Sequence, residues 1–350
     1  MKNLGFQRCY SDSGVFVHRA KNNDIAIAVI YIDDSMMTGN NTSLTREMKA
    51  KIMAIWQSHD LGTAKEFLGM RITSNDRQVR LDQMAYLKKI VKRFNLEKSR
   101  AVSIPLPARY LPVPNTGPLD PKRRNYFQQI IGSLLYLALG TRPDIAFAVI
   151  KLSQQAANPS DKHVEDALRI VRYLSSTQEY YLEYNGASNS GLLAYCDSDW
   201  ASDSSNQRKS HTGYFFTLAK GAVSWLSRAQ KTIAFSSTEA EYMALSDCSR
   251  QACWFMNLFD ELKMPDPTPV PINGDNQGSL FNGQNPVTEG RTKHIDIRFH
   301  AIRNYVEEGK VQLFFVPSKE NPADMLTKNL SEDEVKGFSS HYGLIFESPS

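Results

Sequence analysis

Past a small-residue linker at Asn185-Gly186-Ala187-Ser188-Asn189-Ser190-Gly191, the chain turns to strands first and helices after, and that order admits few folds. The pattern predicts a strand from Leu192 to Asp197, then a hairpin of residues 214–218 and 223–227 around Lys220-Gly221. A further strand element is expected at residues 232–235, followed by a long helix from about Thr238 to Leu262. A short strand reaching Asp275, a helical stretch over residues 298–307, a strand over 311–316 and a helix opening at Pro322 complete the series. An antiparallel start followed by alternating strands and helices means a mixed sheet covered by helices, an α/β fold.

Four carboxylates stand at the ends of these elements. Asp197 closes the first strand, a position that also suits a turn. Glu241 is more telling. Helical spacing puts residues 241, 245, 248, 252, 255 and 259 on one face, and they are Glu, Leu, Cys, Ala, Phe and Phe. A glutamate at the head of an apolar stripe calls for a partner such as a cation, because a buried unpaired carboxylate is costly. The helix dipole alone would also favour a first-turn Glu, a role that fits Glu239, off that face, better. Asp275 ends the next strand, where a turn or cap is the plain alternative; at the last acid Asn321 can cap, Pro322 suits the first helical position and Asp324 the third, so viewed alone Asp324 reads as a helix-start residue. Taken together, strand-end acids converge where parallel strands finish, and helix starts can point into the same place. Four carboxylates cannot share a small site without cations, and two Mg²⁺ ions about 4 Å apart would satisfy them. Oxygen-only ligands favour Mg²⁺ or Mn²⁺ over zinc.

The earlier part reads differently. Ile25-Ala26-Ile27-Ala28-Val29-Ile30-Tyr31-Ile32 is apolar on both faces, as a buried central strand would be, and ends on Asp33-Asp34. A helix is expected over residues 44–57, a strand over 67–72 and a basic helix over 82–94. A Pro-rich linker over residues 104–121 marks a boundary. Residues 126–173 are mostly helical, with breaks at Arg142-Pro143-Asp144 and Asn158-Pro159-Ser160, the second capped by Asp161.

Composition narrows the classes. A chain of 350 residues suits two or three domains. No run approaches the roughly 18 apolar residues of a membrane span, and the opening Met1-Lys2-Asn3-Leu4-Gly5 lacks the apolar core of a signal peptide, so a soluble, non-secreted protein is expected. Cys9, Cys196, Cys248 and Cys253 show no disulfide or zinc spacing, and the last two read as core residues. The net charge of +4 says little, whereas the basic clusters at residues 88–93, 122–124, 208–209 and 291–294 are either solvated faces or phosphate contacts.

Six strings resemble copia-type retrotransposon Pol polyproteins and occur in that family's order. They are Tyr31-Ile32-Asp33-Asp34; Tyr195-Cys196-Asp197-Ser198-Asp199-Trp200-Ala201; Ser236-Ser237-Thr238-Glu239-Ala240-Glu241-Tyr242; Asp275-Asn276-Gln277; Arg291-Thr292-Lys293-His294-Ile295-Asp296-Ile297-Arg298; and Ala323-Asp324-Met325-Leu326-Thr327-Lys328. The resemblance implies a partial reverse-transcriptase palm over 1–75, a mostly helical thumb and connection over 76–187, a ribonuclease H domain over 188–330 and a C-terminal tail over 331–350. It makes Asp197, Glu241, Asp275 and Asp324 ligands of two Mg²⁺ or Mn²⁺ ions and the substrate an RNA–DNA hybrid, with Arg208, Lys209, Arg291, Lys293 and Arg298 as expected nucleic-acid contacts. Many ribonucleases H carry a mobile histidine before the last acid. Val316-Pro317-Ser318-Lys319-Glu320 has none, and His294 and His300 read as structural or phosphate-contacting. Tyr31-Ile32-Asp33-Asp34 resembles the polymerase signature, where Asp33 and Asp34 would hold metal. The family's third catalytic Asp and its fingers precede that string, so polymerisation is expected to need the N-terminal polymerase region as a partner. The alternative is a catalytically inactive, nucleic-acid-binding remnant. No address is legible in the chain, although the family works in cytoplasmic particles and in the nucleus.

Overall fold

A computed structural model describes residues 1–188, 190–201, 208–284 and 301–346, and the chain divides into two compact units. The first comprises Met1–Ile72 and Gln251–Thr268. It is built on an antiparallel meander of β1 (Phe6–Arg8), β2 (Val15–Arg19), β3 (Ile25–Tyr31) and β4 (Asp34–Gly39). β3 is central, as its apolar run predicts, but only one face is fully buried. Ala26 and Ala28 pack with Phe6 and Met48, while the other face is half-buried and Tyr31 stands exposed. Met48 comes from α1 (Thr42–Ile55), whose start is fixed by the Asn41 side chain accepting from the backbone of Ser43 and Leu44.

The strand expected over 67–72 is a hairpin instead. β5 (Glu66–Phe67) and β6 (Met70–Ser74) are joined at Leu68 and Gly69, both with positive φ, the geometry of a two-residue hairpin turn. Residues 251–262, the second half of a long helix, also belong to this unit. There the Glu261 carboxylate accepts from the backbone of Tyr10 and Ser11, and the Trp254 indole donates to the Ser11 carbonyl at 2.9 Å.

The second unit comprises Thr73–Arg250 and Pro269–Ser350. After β7 (Gln78–Asp82) come α2 (Met84–Arg93), α3 (Pro121–Gly140), α4 (Ala146–Ser153), α5 (Asp161–Ser176) and β8 (Tyr180–Asn185). The break before α5 is where the sequence places it, but the cap is Ser160 rather than Asp161. Its hydroxyl accepts from the backbone of His163, whose ring returns a bond to the Ser160 N–H. The other break is anchored by Arg142, buried and paired through two nitrogens with Asp144 at 2.9 and 2.7 Å.

The mixed sheet predicted after the second linker is present. β9 (Leu193–Asp199), β10 (His211–Leu218) and β11 (Gly221–Ala229) form an antiparallel meander whose tight turn, Ala219-Lys220, has positive φ at both residues. The segment 232–235 is not a strand; the chain bends there and enters α6 (Ser237–Leu262). β12 (Val270–Gly274) then pairs parallel to β9 on one side and, after α7 (Gln277–Gln284) and a helix described over 301–307 (α8), to β13 (Val311–Phe315) on the other. The sheet order is β11-β10-β9-β12-β13. The helix expected at Pro322 is a 3₁₀ segment, Pro322–Leu326, followed by α9 (Glu332–Ser339) and β14 (Leu344–Phe346). β14 pairs with β8, and β8 with β7, in a second antiparallel layer. A large hydrophobic core runs through this unit, from Leu87 on α2 through Leu134, Ile170 and Phe215 to Leu326, Val335 and Leu344, and a separate small cluster joins Ala234, Ala240 and Met243.

Candidate metal centre

Topology explains why two of the four acids meet. β9 and β12 are parallel neighbours with Ile272 level with Ala194, so the same register carried forward brings Asp275 level with Asp197. Asp197 is buried in β9, and Asp275, half-buried, stands one residue past the end of β12. Glu241 is buried in the first turns of α6 and accepts the backbone N–H of Ser198. Each of these three acids offers an oxygen, and the three oxygens lie within 4.8 Å of one another. Glu239 has the plainer role expected of it: its carboxylate accepts from Phe235 N at 2.8 Å while its own N–H donates to Ser236 Oγ, closing the helix start.

Asp324 lies outside that trio and is tied to it by Lys328. The Lys328 ammonium is 2.9 Å from Asp324 Oδ1 and 3.6 Å from Asp197 Oδ2. Three neighbours hold this last acid's segment against β9: Asn321, whose capping role the sequence indicates, and Thr327 and Gly213, whose roles it does not. Asn321, buried, donates from Nδ2 to the Cys196 carbonyl at 2.9 Å and accepts the Ala323 N–H, and the Thr327 hydroxyl donates to Asp197. Gly213 lies opposite Asp197 on β10; a Cβ there would stand 2.7 Å from both Leu326 Cβ and Thr327 Cγ2, so only glycine lets the segment lie this close. Thr327 and Lys328 belong to one of the strings that carry the family resemblance, but nothing in their spacing points to Asp197.

Like charges and burial govern the electrostatics. Burial, then Asp197 and Asp275, push the Glu241 carboxyl well above its ordinary range. Burial and Asp197 also raise Asp275. Asp324 is pushed up to about 8 by burial and by Asp197, against the lowering influence of Lys328. Burial favours the neutral form of Lys328, but Asp197 and Asp324 prevail and raise it. Asp275 Oδ1 is buried and has no hydrogen-bond partner among the described residues. An orphaned carboxylate oxygen beside two more acids, in a set of oxygen donors only, fits a divalent cation such as Mg²⁺ or Mn²⁺.

The remaining expected residues lie elsewhere. Arg208 is exposed, with positive φ, and Lys209 is half-buried beside the start of β10. Arg291, Lys293 and Arg298, with His294 and His300, fall outside the described residues. Asp33 and Asp34 are exposed at the β3–β4 hairpin, in the first unit. Among the described residues no helix is long and apolar enough to cross a membrane.

Residues 1–108 match the family model described as "Reverse transcriptase (RNA-dependent DNA polymerase)". The chain is 35% identical over 335 residues to the retrovirus-related Pol polyprotein from transposon TNT 1-94 of Nicotiana tabacum, covering 94% of this chain and 25% of that one. It is 32% identical over 251 residues to a transposon Ty5-1 protein of Saccharomyces cerevisiae, covering 71% of this chain and 80% of that one. Among solved structures, a ribonuclease H1 isolated from compost by a metagenomic approach aligns with 42% of this chain and 98% of its own at 19% identity and TM-score 0.31. The chain thus spans about a quarter of the length of the tobacco polyprotein.

Proposed function

The chain belongs to the copia-type retrotransposon Pol polyproteins, and from that premise we propose that its second unit is a ribonuclease H, an endonuclease hydrolysing the RNA strand of an RNA–DNA hybrid. The observation that carries this reading is the meeting of Asp197, Glu241 and Asp275, with Asp324 joined to Asp197 through Lys328. On this reading those four acids hold two Mg²⁺ or Mn²⁺ ions. When bound, such ions activate water for in-line attack on a phosphodiester and stabilise the charge that develops there.

The chain's own residues do the placing. β9 and β12 hold Asp197 and Asp275 side by side, Ser198 N–H orients Glu241, and Thr327 fixes one oxygen of Asp197. Lys328 balances part of the negative charge between Asp197 and Asp324. Substrate choice rests on phosphate contacts and on detection of the 2′-hydroxyls that mark the RNA strand, with Arg208, Lys209, Arg291, Lys293 and Arg298 as proposed contacts. Asp33 and Asp34, in the segment that matches the reverse-transcriptase family, are proposed as part of a polymerase site.

The test is cleavage of a labelled RNA–DNA hybrid with Mg²⁺ or with EDTA. Cutting of the RNA strand alone, dependent on metal and abolished by Asp197→Asn while hybrid binding survives, is the expected result. A folded protein that binds hybrid and leaves it intact would be the inactive nucleic-acid-binding remnant instead.

A further inference from the structure

A neutral side chain behind the acids links the elements that carry two of them. Gln230 follows the end of β11 and is 4% exposed. Its Nε2 lies 2.9 Å from the Ala240 carbonyl oxygen, 3.0 Å from Thr212 Oγ1 and 3.2 Å from Ser198 Oγ. Its backbone N–H donates to the Ser210 carbonyl at 2.8 Å, which fixes the loop from which the side chain departs.

All three acceptors of the Gln230 amide, one backbone carbonyl and two hydroxyls, adjoin the acid cluster. Ala240 precedes Glu241 on α6. Ser198 follows Asp197 on β9, and its backbone N–H is the group that holds the Glu241 carboxylate. Thr212 pairs with Ser198 across the β9–β10 ladder. A primary amide has two protons, so three acceptors share two donors, while Oε1 is buried with no hydrogen-bond partner among the described residues. An apolar side chain of the same length would fill the space without that unsatisfied oxygen. The donor end must therefore supply something that packing does not.

Asp197 and Glu241 repel each other, and they come from a strand and a helix that share no backbone ladder. We propose that Gln230 is a positioning residue that sets the spacing of Asp197 and Glu241 and thereby the affinity of the acid cluster for a divalent cation; the proposal rests on reading that cluster as a metal centre. Gln230 suits this task because it is neutral. A cation there would compete with the metal for the acids, and a carboxylate would add a further like charge. Outer-shell hydrogen bonds of this kind commonly change metal affinity about 10–100-fold when removed.

The experiment is calorimetric titration of the full chain with Mn²⁺, alongside its melting temperature. Four variants accompany the wild type: Gln230→Met, Ser198→Ala, the two combined, and Ile170→Val, which removes a buried methyl group from α5. Gln230→Met is expected to weaken Mn²⁺ binding about 10–100-fold. Ser198→Ala should weaken it less, and the double variant should bind no more weakly than Gln230→Met, because both changes break one bracket. Ile170→Val should lower the melting temperature and leave Mn²⁺ affinity unchanged, which separates positioning from general destabilisation.

Wild-type affinity in a folded Gln230→Met overturns the proposal, as does a fall that Ile170→Val reproduces. If Gln230→Met does not fold, Ser198→Ala decides, and wild-type affinity there overturns it equally. Failure of the wild type to bind Mn²⁺ removes the metal centre and the positioning role together. Wild-type binding that Gln230→Met leaves untouched removes the positioning role alone.

Discussion

Lys328 stands between Asp197 and Asp324, and its charge opposes any cation those acids attract. Lys328→Met should therefore bind Mn²⁺ more tightly than the wild type yet melt at a lower temperature in EDTA, two shifts of opposite sense that calorimetry reads on one sample. Asp324 adds a pH dependence. Burial and Asp197 hold its proton in the folded chain up to about 8, whereas the unfolded chain releases it near about 4. Between those values the folded state binds more protons, so the stability of the metal-free protein falls as pH rises through that window. Melts in EDTA across it should show the decline, and Asp324→Asn should make it shallower, leaving the part due to Glu241 and Asp275. The acids themselves were legible because each ends an element or heads an apolar stripe. Asn321 was legible as a cap but not as a donor to Cys196, and Thr327 and Gly213 were not legible, because those tasks are set by residues more than a hundred positions away.

Among the helices of the second unit the most consequential contact is the pair of Arg142 and Asp144, whose side chains are 4% and 0% exposed. Arg142 also donates to the carbonyl and hydroxyl of Thr177 at the end of α5, and Tyr173 donates to Asp144 at 2.8 Å, so the break between α3 and α4 is fastened to α5. Removing one partner of a buried pair leaves the other charge uncompensated, and Arg142→Met should cost about 3–5 kcal/mol. Thermal or urea unfolding would measure that loss. Arg142-Pro143-Asp144 is visible in the sequence as a helix break, but its ion pair is not. The long helix, the hairpin around Lys220 and the parallel strands followed from runs and turn residues. β7, β8 and β14 escaped notice because their pairing is distant, Gln78 with Asn185 and Leu182 with Leu344. Residues 232–235 look like a strand by composition, but Gln230 and the start of α6 take the chain out of the ladder before they can pair.

At the scale of the whole chain, metal binding should act on one unit. A free cation concentration 100 times its dissociation constant stabilises a site by about 2.7 kcal/mol. Hydrogen exchange is expected to slow in β9, β12 and the first half of α6 when Mn²⁺ is added, and to stay unchanged in β1–β4. Equal slowing in the meander would contradict that division. The sequence indicates where elements begin and which faces are apolar; it does not say that α2, α3 and α5 share one core with Phe215 and Leu326, since that depends on contacts between segments far apart in the chain. The bond from Thr327 to Asp197 spans 130 residues, and this separation has a consequence for biosynthesis. A ribosome adding about 5–20 residues per second needs roughly 7–26 s to make that stretch. During that interval a nascent chain displays Asp197 before the hydroxyl that steadies it exists, so the arrangement proposed as a metal centre forms only after Thr327 has been added.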